Sequence, residues 1–230
     1  MVAGDQRVIP IQAVIQTAHR LGISSKLQPY PAVALGANGV IPLDIVTAYG
    51  VFASGGTRVD PRAITSIDDK NGQQILAVPV KRDVVLSEET AAIIRDMLAN
   101  VIDRGTGGSA RWKYRFYAPA AGKTGTTNNF NNAWFVGFTP HLVVGVWVGF
   151  DDPKISLGRG QAGSVAALPI WARFMKAAYE EKQYPWDEFE LPVGVVEVQI
   201  DKDTGLRAGP LSANVYTELF RRGDEPPMGR

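Results

Sequence analysis

No cysteine occurs in the 230 residues, which excludes a disulfide frame and any thiolate-bound metal. Only two histidines are present, His19 and His141. They lie far apart in the chain and read as ordinary surface histidines. Charge of one sign is not in excess, because 24 basic and 23 acidic residues leave a net charge of +1. Without a long block of like charge, the electrostatic footprint of nucleic-acid binding is missing. A long apolar run is missing too. The most apolar stretch, Leu142 to Phe150, is far short of the ~20 residues that a membrane-spanning helix needs. The N-terminus lacks the charged-then-apolar pattern of a leader. If the protein works at a membrane, its anchor is expected outside these residues.

What is present is an ordinary globular composition, 45% hydrophobic and 20% charged, long enough to bury a sizeable core. Pro10 can open a helix whose apolar positions Ile11, Val14, Ile15, Ala18 and Leu21 recur at helical spacing up to Gly22. Residues 23–41 read as loop, and a second helix runs from Pro42 to the Gly55-Gly56 break. Asn71-Gly72 marks a hairpin within 57–80. Ser87 caps the clearest helix, with Glu88-Glu89 at the positive end of its dipole. Its expected apolar face is Ile94, Met97, Leu98, Val101 and Ile102, and Gly105 to Gly108 is expected to be a flexible loop.

Three antiparallel strands are expected between 118 and 150. The first carries Lys123 to Thr127, the second Ala133 to Thr139 and the third Leu142 to Phe150, with Pro140-His141 as a tight connection. Gly137, Gly145 and Gly149 suggest close packing against one face, and Trp134, Trp147 and Trp171 read as core. A helix follows over about 165–181. Beyond Lys182 the prolines multiply, and the best element is a hairpin of Val195–Ile200 with Asp201–Gly205. The Asp201-Lys202-Asp203 run is incomplete as a calcium loop. The expected division is therefore 1–185 as the main domain and 186–230 as an appendage with a poorly ordered end.

The run Gly122-Lys123-Thr124-Gly125-Thr126-Thr127 concentrates the chemistry. Alternation on a strand projects Lys123 and Gly125 to one side and Thr124 and Thr126 to the other. Gly125 lets another backbone approach closely. A phosphate loop would also end in Gly-Lys-Thr, but it needs glycine where Tyr117 stands and a helix where a strand follows.

Read with their surroundings, these residues resemble the transpeptidase domain of class A penicillin-binding proteins, with Lys123-Thr124-Gly125 as the Lys-Thr-Gly element. The segments Ala133–Pro140, Val146–Asp152, Pro169–Trp171 with Phe174-Met175, and Phe52–Gly56 resemble the same family. The resemblance implies an α+β fold: an antiparallel sheet packed against helices, forming an incomplete β-lactamase-like transpeptidase domain with a small C-terminal β appendage. It also implies serine acyl transfer that cross-links cell-wall peptides in a periplasm or at the outer face of the inner membrane. D-Ala-D-Ala stem peptides would be substrates and β-lactams inhibitors, with no cofactor and no metal.

By that resemblance Lys123 would supply positive potential for the substrate carboxylate and assist proton transfer. Thr124 and Thr126 would bind that carboxylate through their hydroxyls, Gly125 would admit the substrate backbone, and the Thr126 N–H would be an oxyanion donor. The family's Ser-x-x-Lys nucleophile motif occurs nowhere in the chain. Its Ser-x-Asn motif occurs only as Ser212-Ala213-Asn214, after Lys-Thr-Gly instead of before it, and reads as coincidence. Val2 to Gly22 resembles the stretch just after Ser-x-Asn. The serine is therefore expected from a missing N-terminal part, an apolar face is expected to be exposed, and this chain alone is expected to be inactive. The alternative is a non-catalytic domain that binds peptide carboxylates or partner proteins. Where the family often carries an acid before the Ala-Trp-Phe segment, Asn132 stands here.

Overall fold

The computed structural model describes residues 9–229; the first eight residues of the expected main domain lie outside them. Helix α1 (Ile11–Arg20) starts after Pro10, whose extended backbone sets the entry, and stops before Gly22, at φ 111°. The loop that follows contains a 3-10 turn, Pro31–Leu35. Helix α2 (Pro42–Ala53) is placed as expected. Strands β1 (Thr57–Val59) and β4 (Arg82–Val84) pair around a hairpin of β2 (Ser66–Asp68) and β3 (Gln74–Ala77). In that hairpin Asp69 accepts N–H bonds from Asn71 and Gln73, both at 2.8 Å, while Gly72 takes φ 82°.

Helix α3 (Glu88–Asp103) is capped by Ser87, whose hydroxyl accepts the Thr90 N–H at 3.3 Å. Its buried residues are Ala91, Ala92, Arg95 and Ile102, whereas Met97 is 55% exposed. Of the expected apolar face, Ile102 is buried and Ile94, Leu98 and Val101 are half-buried; Met97 alone faces outward, and Ala91, Ala92 and Arg95 join the inward side. Gly105 to Gly108 is not a loose loop. It wraps the helix end, with the Gly107 N–H on the Val101 carbonyl at 2.8 Å, and leads into the one-turn α4 (Ser109–Trp112).

The central sheet has the order β5 (Ala121–Thr126), β6 (Asn132–Phe138), β7 (Val143–Gly149), all antiparallel. Buried Thr139 shapes the β6–β7 turn by accepting the N–H groups of His141 and Leu142. Helices α5 (Gly163–Ala166) and α6 (Leu168–Lys182) close one face and α2 the other. The glycines expected to mark close packing do so on both faces. A Cβ on Gly137 would sit 2.6 Å from the Trp171 ring of α6, and one on Gly145 2.5 Å from Val46 of α2. The core is built around Trp171, against Phe135 at 4.9 Å and Phe116 at 5.5 Å between ring centroids. Trp147, expected in the core, is 40% exposed, and its indole N–H donates to Asn132 at 2.8 Å.

In the C-terminal part, β8 (Val195–Asp201) pairs with β9 (Val215–Arg221), not with 201–205. Residues 201–205 instead form a turn in which Asp201 accepts the N–H groups of Asp203 and Thr204. The end is held as well: the Arg207 N–H donates to Pro227 and the Gly229 N–H to Arg207. Among the described residues no helix is long and apolar enough to cross a membrane.

Candidate active site

Among the described residues β5 is an edge strand with β6 as its only hydrogen-bonded neighbour. The Thr127 N–H donates to the Asn132 carbonyl at 3.2 Å, and residues 127 and 132 stand directly opposite in this register. Hydrogen bonding alternates along an antiparallel pair, so Ala121, Lys123 and Gly125 bond to β6. Thr124 and Thr126 therefore turn their backbone N–H and C=O groups to the open edge, while Gly122, of the same parity, is buried. The Lys-Thr-Gly strand thus offers an unfilled ladder, as an extended ligand would require.

The side chains follow the alternation. Lys123 is exposed and folds over the edge, its Nζ donating to the Thr124 carbonyl at 3.0 Å. Thr124 Oγ1 lies 2.9 Å from Thr106 Oγ1, in the loop that wraps the end of α3. One O–H···O bond joins the two hydroxyls, so one proton of the pair remains free to donate. Thr126 Oγ1 accepts the Gly163 N–H of α5 at 3.0 Å and likewise keeps its own proton for an acceptor. Gly163 fits tightly: a Cβ there would lie 2.2 Å from the Trp134 carbonyl and 2.6 Å from that of Gly125.

Beyond the strand, Thr127 Oγ1 accepts the N–H groups of Asn131 and Asn132, both at 3.0 Å, and reverses the chain into β6. The segment from Pro153 to Leu157 is stitched to this turn. Ser156 Oγ donates to Asn129 at 2.7 Å and the Leu157 N–H to Phe130 at 2.8 Å. The resulting edge presents one ammonium, free hydroxyl protons and outward N–H groups, with no acid among them. Chemically it suits an anionic group carried on an extended backbone.

Thr106 and Gly163 escaped the sequence reading. Thr106 sits between glycines that read as flexible, and nothing in the sequence near Gly163 points to β5. Other candidates lie elsewhere. His19 Nδ1 is 2.6 Å from the Ile23 carbonyl, while His141 pairs with Asp187 at 2.9 Å and stacks on Tyr184. Ser212 donates to Asp201 at 2.5 Å, so Ser212-Ala213-Asn214 lies in a loop held to the end of β8. Among the described residues no group of three or more His, Cys, Asp or Glu could hold a metal.

The description "Penicillin binding protein transpeptidase domain" matches residues 27–176, well over half of the chain. The chain belongs to this family. A second description, "Penicillin-binding protein 1A, C-terminal domain", matches residues 191–227. Penicillin-binding protein 1A of Aquifex aeolicus is 39% identical over 95% of this chain, and penicillin-binding protein 2D of Bacillus subtilis is 34% identical over 93%. The chain spans 29% and 31% of those relatives. Among solved structures, penicillin-binding protein 1A of Haemophilus influenzae superposes with a TM-score of 0.87 at 31% identity. That match covers 96% of this chain and 38% of the other. PonA1 of Mycobacterium tuberculosis, solved in complex with penicillin V, matches with a TM-score of 0.67 at 25% identity, over 79% and 53%. The penicillin-binding transpeptidase fold is therefore the fold of this chain, over part of its relatives' length.

Proposed function

We propose that the free edge of β5 is the substrate-carboxylate and oxyanion wall of a peptidoglycan D,D-transpeptidase. The observation that supports this reading most directly is the Thr126 N–H turned to the open edge beside the Lys123 ammonium. In this reading a stem peptide ending in D-Ala-D-Ala lies along β5. Its terminal carboxylate receives the Lys123 charge and the free protons of Thr124 and Thr126, and Gly125 leaves room for its backbone.

A serine oxygen then attacks the penultimate carbonyl. The Thr126 N–H holds the developing oxyanion, the bond to the terminal D-Ala breaks, and that residue leaves as a free amine. An amino group of a neighbouring peptide attacks the acyl ester next, forming the cross-linking amide as the ester C–O bond breaks, and the amine proton returns to the serine oxygen. In related acyl-transfer sites the loss of one such donor costs about 10²–10³ in rate. No Ser-x-x-Lys lies in these 230 residues, so the nucleophile is assigned to another part of the protein. β-Lactams would occupy the same edge, and the site would face the periplasm. Residues 1–185 would carry this wall, and 186–230 would form a separate appendage.

The missing motif also favours a second reading, a domain that binds peptide carboxylates without turnover. Titration of the chain with diacetyl-Lys-D-Ala-D-Ala, followed by amide NMR, tests the wall. Shifts at Thr124 to Thr126 are expected, with binding about tenfold weaker in Lys123→Ala. No response at those amides would overturn the assignment. Fluorescent penicillin separates the nucleophile question: a denaturation-resistant adduct on this chain would show that it carries its own serine. With the protein extended by the segment bearing Ser-x-x-Lys, acylation supports the transpeptidase and its absence supports the binding domain.

A further inference from the structure

A second edge strand lies far from Lys123 in sequence. Among the described residues β9 pairs only with β8. The Arg222 N–H donates to Gly194 at 2.9 Å and the Lys202 N–H to Asn214 at 2.8 Å, which fixes the parity of the ladder. Even-numbered residues of β9 bond to β8, so Thr217 and Leu219 turn their N–H and C=O groups outward. Those outward groups have no hydrogen-bond partner among the described residues. The outward carbonyl of Arg221 is used, because it accepts the Asp224 N–H at 2.9 Å and closes that end.

Helix α3 packs against the β8–β9 ribbon, touching both strands and β9 the more extensively. The Arg221 guanidinium reaches the Ser87 and Thr90 hydroxyls at 3.5 and 3.2 Å, so that strand end lies against the start of the helix. Between helix and strand is a groove of about 670 Å³. Ile93, Met97 and Asn100 form its helical wall, at spacings of four and three that share one face. Those positions span about 10 Å, the length of three extended residues. On the opposite wall, alternation puts Glu218 and Phe220 on one side of the ribbon with Val198. The Glu218 carboxylate has neither an ion pair nor a side-chain hydrogen bond among the described residues; Asp96 and Asp224 add negative charge nearby, and Arg104 offsets part of it without pairing with Glu218. Arg221 is already committed to the two hydroxyls.

We propose that β9 and α3 form a docking groove for an extended segment of a partner protein, added to β8–β9 as a third strand. Across from Glu218 the segment carries lysine or arginine, and two residues away it carries an apolar side chain facing Phe220 and Met97. Three independent features converge on that occupant. The backbone edge asks for a strand, exposed Met97 beside half-buried Ile93 asks for apolar cover, and the unpaired Glu218 asks for a cation. A helix in the groove would leave the Thr217 and Leu219 backbone groups unused.

The test is an NMR titration of the full chain with acetyl-Thr-Val-Thr-Lys-Thr-Val-Thr-amide, whose valines and lysine share one face. The expected result is slowed exchange of the Leu219 amide and a shift of the Met97 methyl, at concentrations up to about 1 mM. Replacing the peptide lysine by glutamate should weaken binding at least about fivefold, and Glu218→Gln should remove that discrimination. N-methylation of alternate peptide amides should abolish binding while leaving the protein untouched. The proposal is overturned by absence of binding at that concentration, by shifts confined to β5 or β7, or by equal affinity for both peptides. Protection of Leu219 that rises with protein concentration alone would name a second copy as the occupant and overturn the partner assignment.

Discussion

Thr106 Oγ1 lies 2.9 Å from Thr124 Oγ1, and this contact ties the loop after α3 to the edge strand. The loop is itself rigid, since Gly105 and Gly107 pass so close to Val101 that a Cβ on either would come within about 3 Å of its backbone. Thr106 is therefore a positioning residue for Thr124. Thr106→Val keeps the shape and removes the hydroxyl. A stability loss of about 1 kcal/mol is expected from urea melts, with weaker binding of the D-Ala-D-Ala peptide. Thr106→Ser should restore binding; if Val and Ser variants bind alike, the hydroxyl has no positioning role.

Gly163 gives a sharper structural test. Its missing side chain lets α5 approach the backbone of Gly125 and Trp134 and donate to Thr126. Gly163→Ala forces backbone atoms apart, and a loss of about 3 kcal/mol or more is expected because neither strand can yield cheaply. Gly39→Ala, where a Cβ meets nothing within 4 Å, is the control and should be nearly neutral. Equal melting curves for the two variants would refute the close approach.

Arg95 joins α3 to the segment that follows α6. It is 7% exposed, donates to the Glu190 carbonyl and lies 4.8 Å over the Phe189 ring, which in turn packs on Phe138. Arg95→Leu should cost about 2–4 kcal/mol, because the Glu190 carbonyl loses a charged donor in a crowded place. Limited proteolysis should then cut between Lys182 and Val193 faster than in the wild type. An unchanged cleavage rate would mean that the linker is held by other contacts.

The contact between α3 and β8–β9 carries a pH signature. Burial holds the Asp96 carboxyl above the ordinary range, with Glu197 and Asp103 adding to it and Arg104 and Arg95 opposing. Burial raises Glu218 too, followed by the charge of Asp96, with Arg104 opposing. The folded state then binds more protons than the unfolded one between the ordinary carboxylate pKa and the raised values. Stability from these two groups falls as pH rises through that window. Asp201 works the other way. Hydrogen bonds from Ser212 and then from the Asp203 backbone hold it low, and its contribution is lost as pH falls. Asp96→Asn with Glu218→Gln should raise Tm at about pH 7, and the gap should narrow toward about pH 4.5. Parallel Tm curves would contradict this.

Local signals were legible in the sequence because their causes are local. Ser87 with its acidic first turn, Asn71-Gly72, and the β6–β7 connection each bring their own hydrogen bonds within a few residues. The Lys-Thr-Gly strand was legible through its flanking segments. What failed depends on distant chain. β9 lies beyond a long loop, so local signals in the sequence point to the nearer turn, 201–205, as the partner of β8. β1 and β4 are three residues each and enclose another hairpin, so no periodicity marks them. Apolar spacing favoured Met97 over Arg95 on α3, because it takes no account of a guanidinium finding a carbonyl 95 residues away. Thr106 and Gly163 act through tertiary contact alone.

An unpaired β5 edge is also a template for any stray strand, and the cell must keep it from recruiting copies of itself. The Lys123 ammonium, parked across the outward Thr124 carbonyl, acts as a gatekeeper. A neutral incoming backbone must displace a charge to complete the ladder, whereas a carboxylate is drawn to it. In the proposed function, the lysine that would receive the substrate carboxylate would also discourage a neutral strand from adding to the edge.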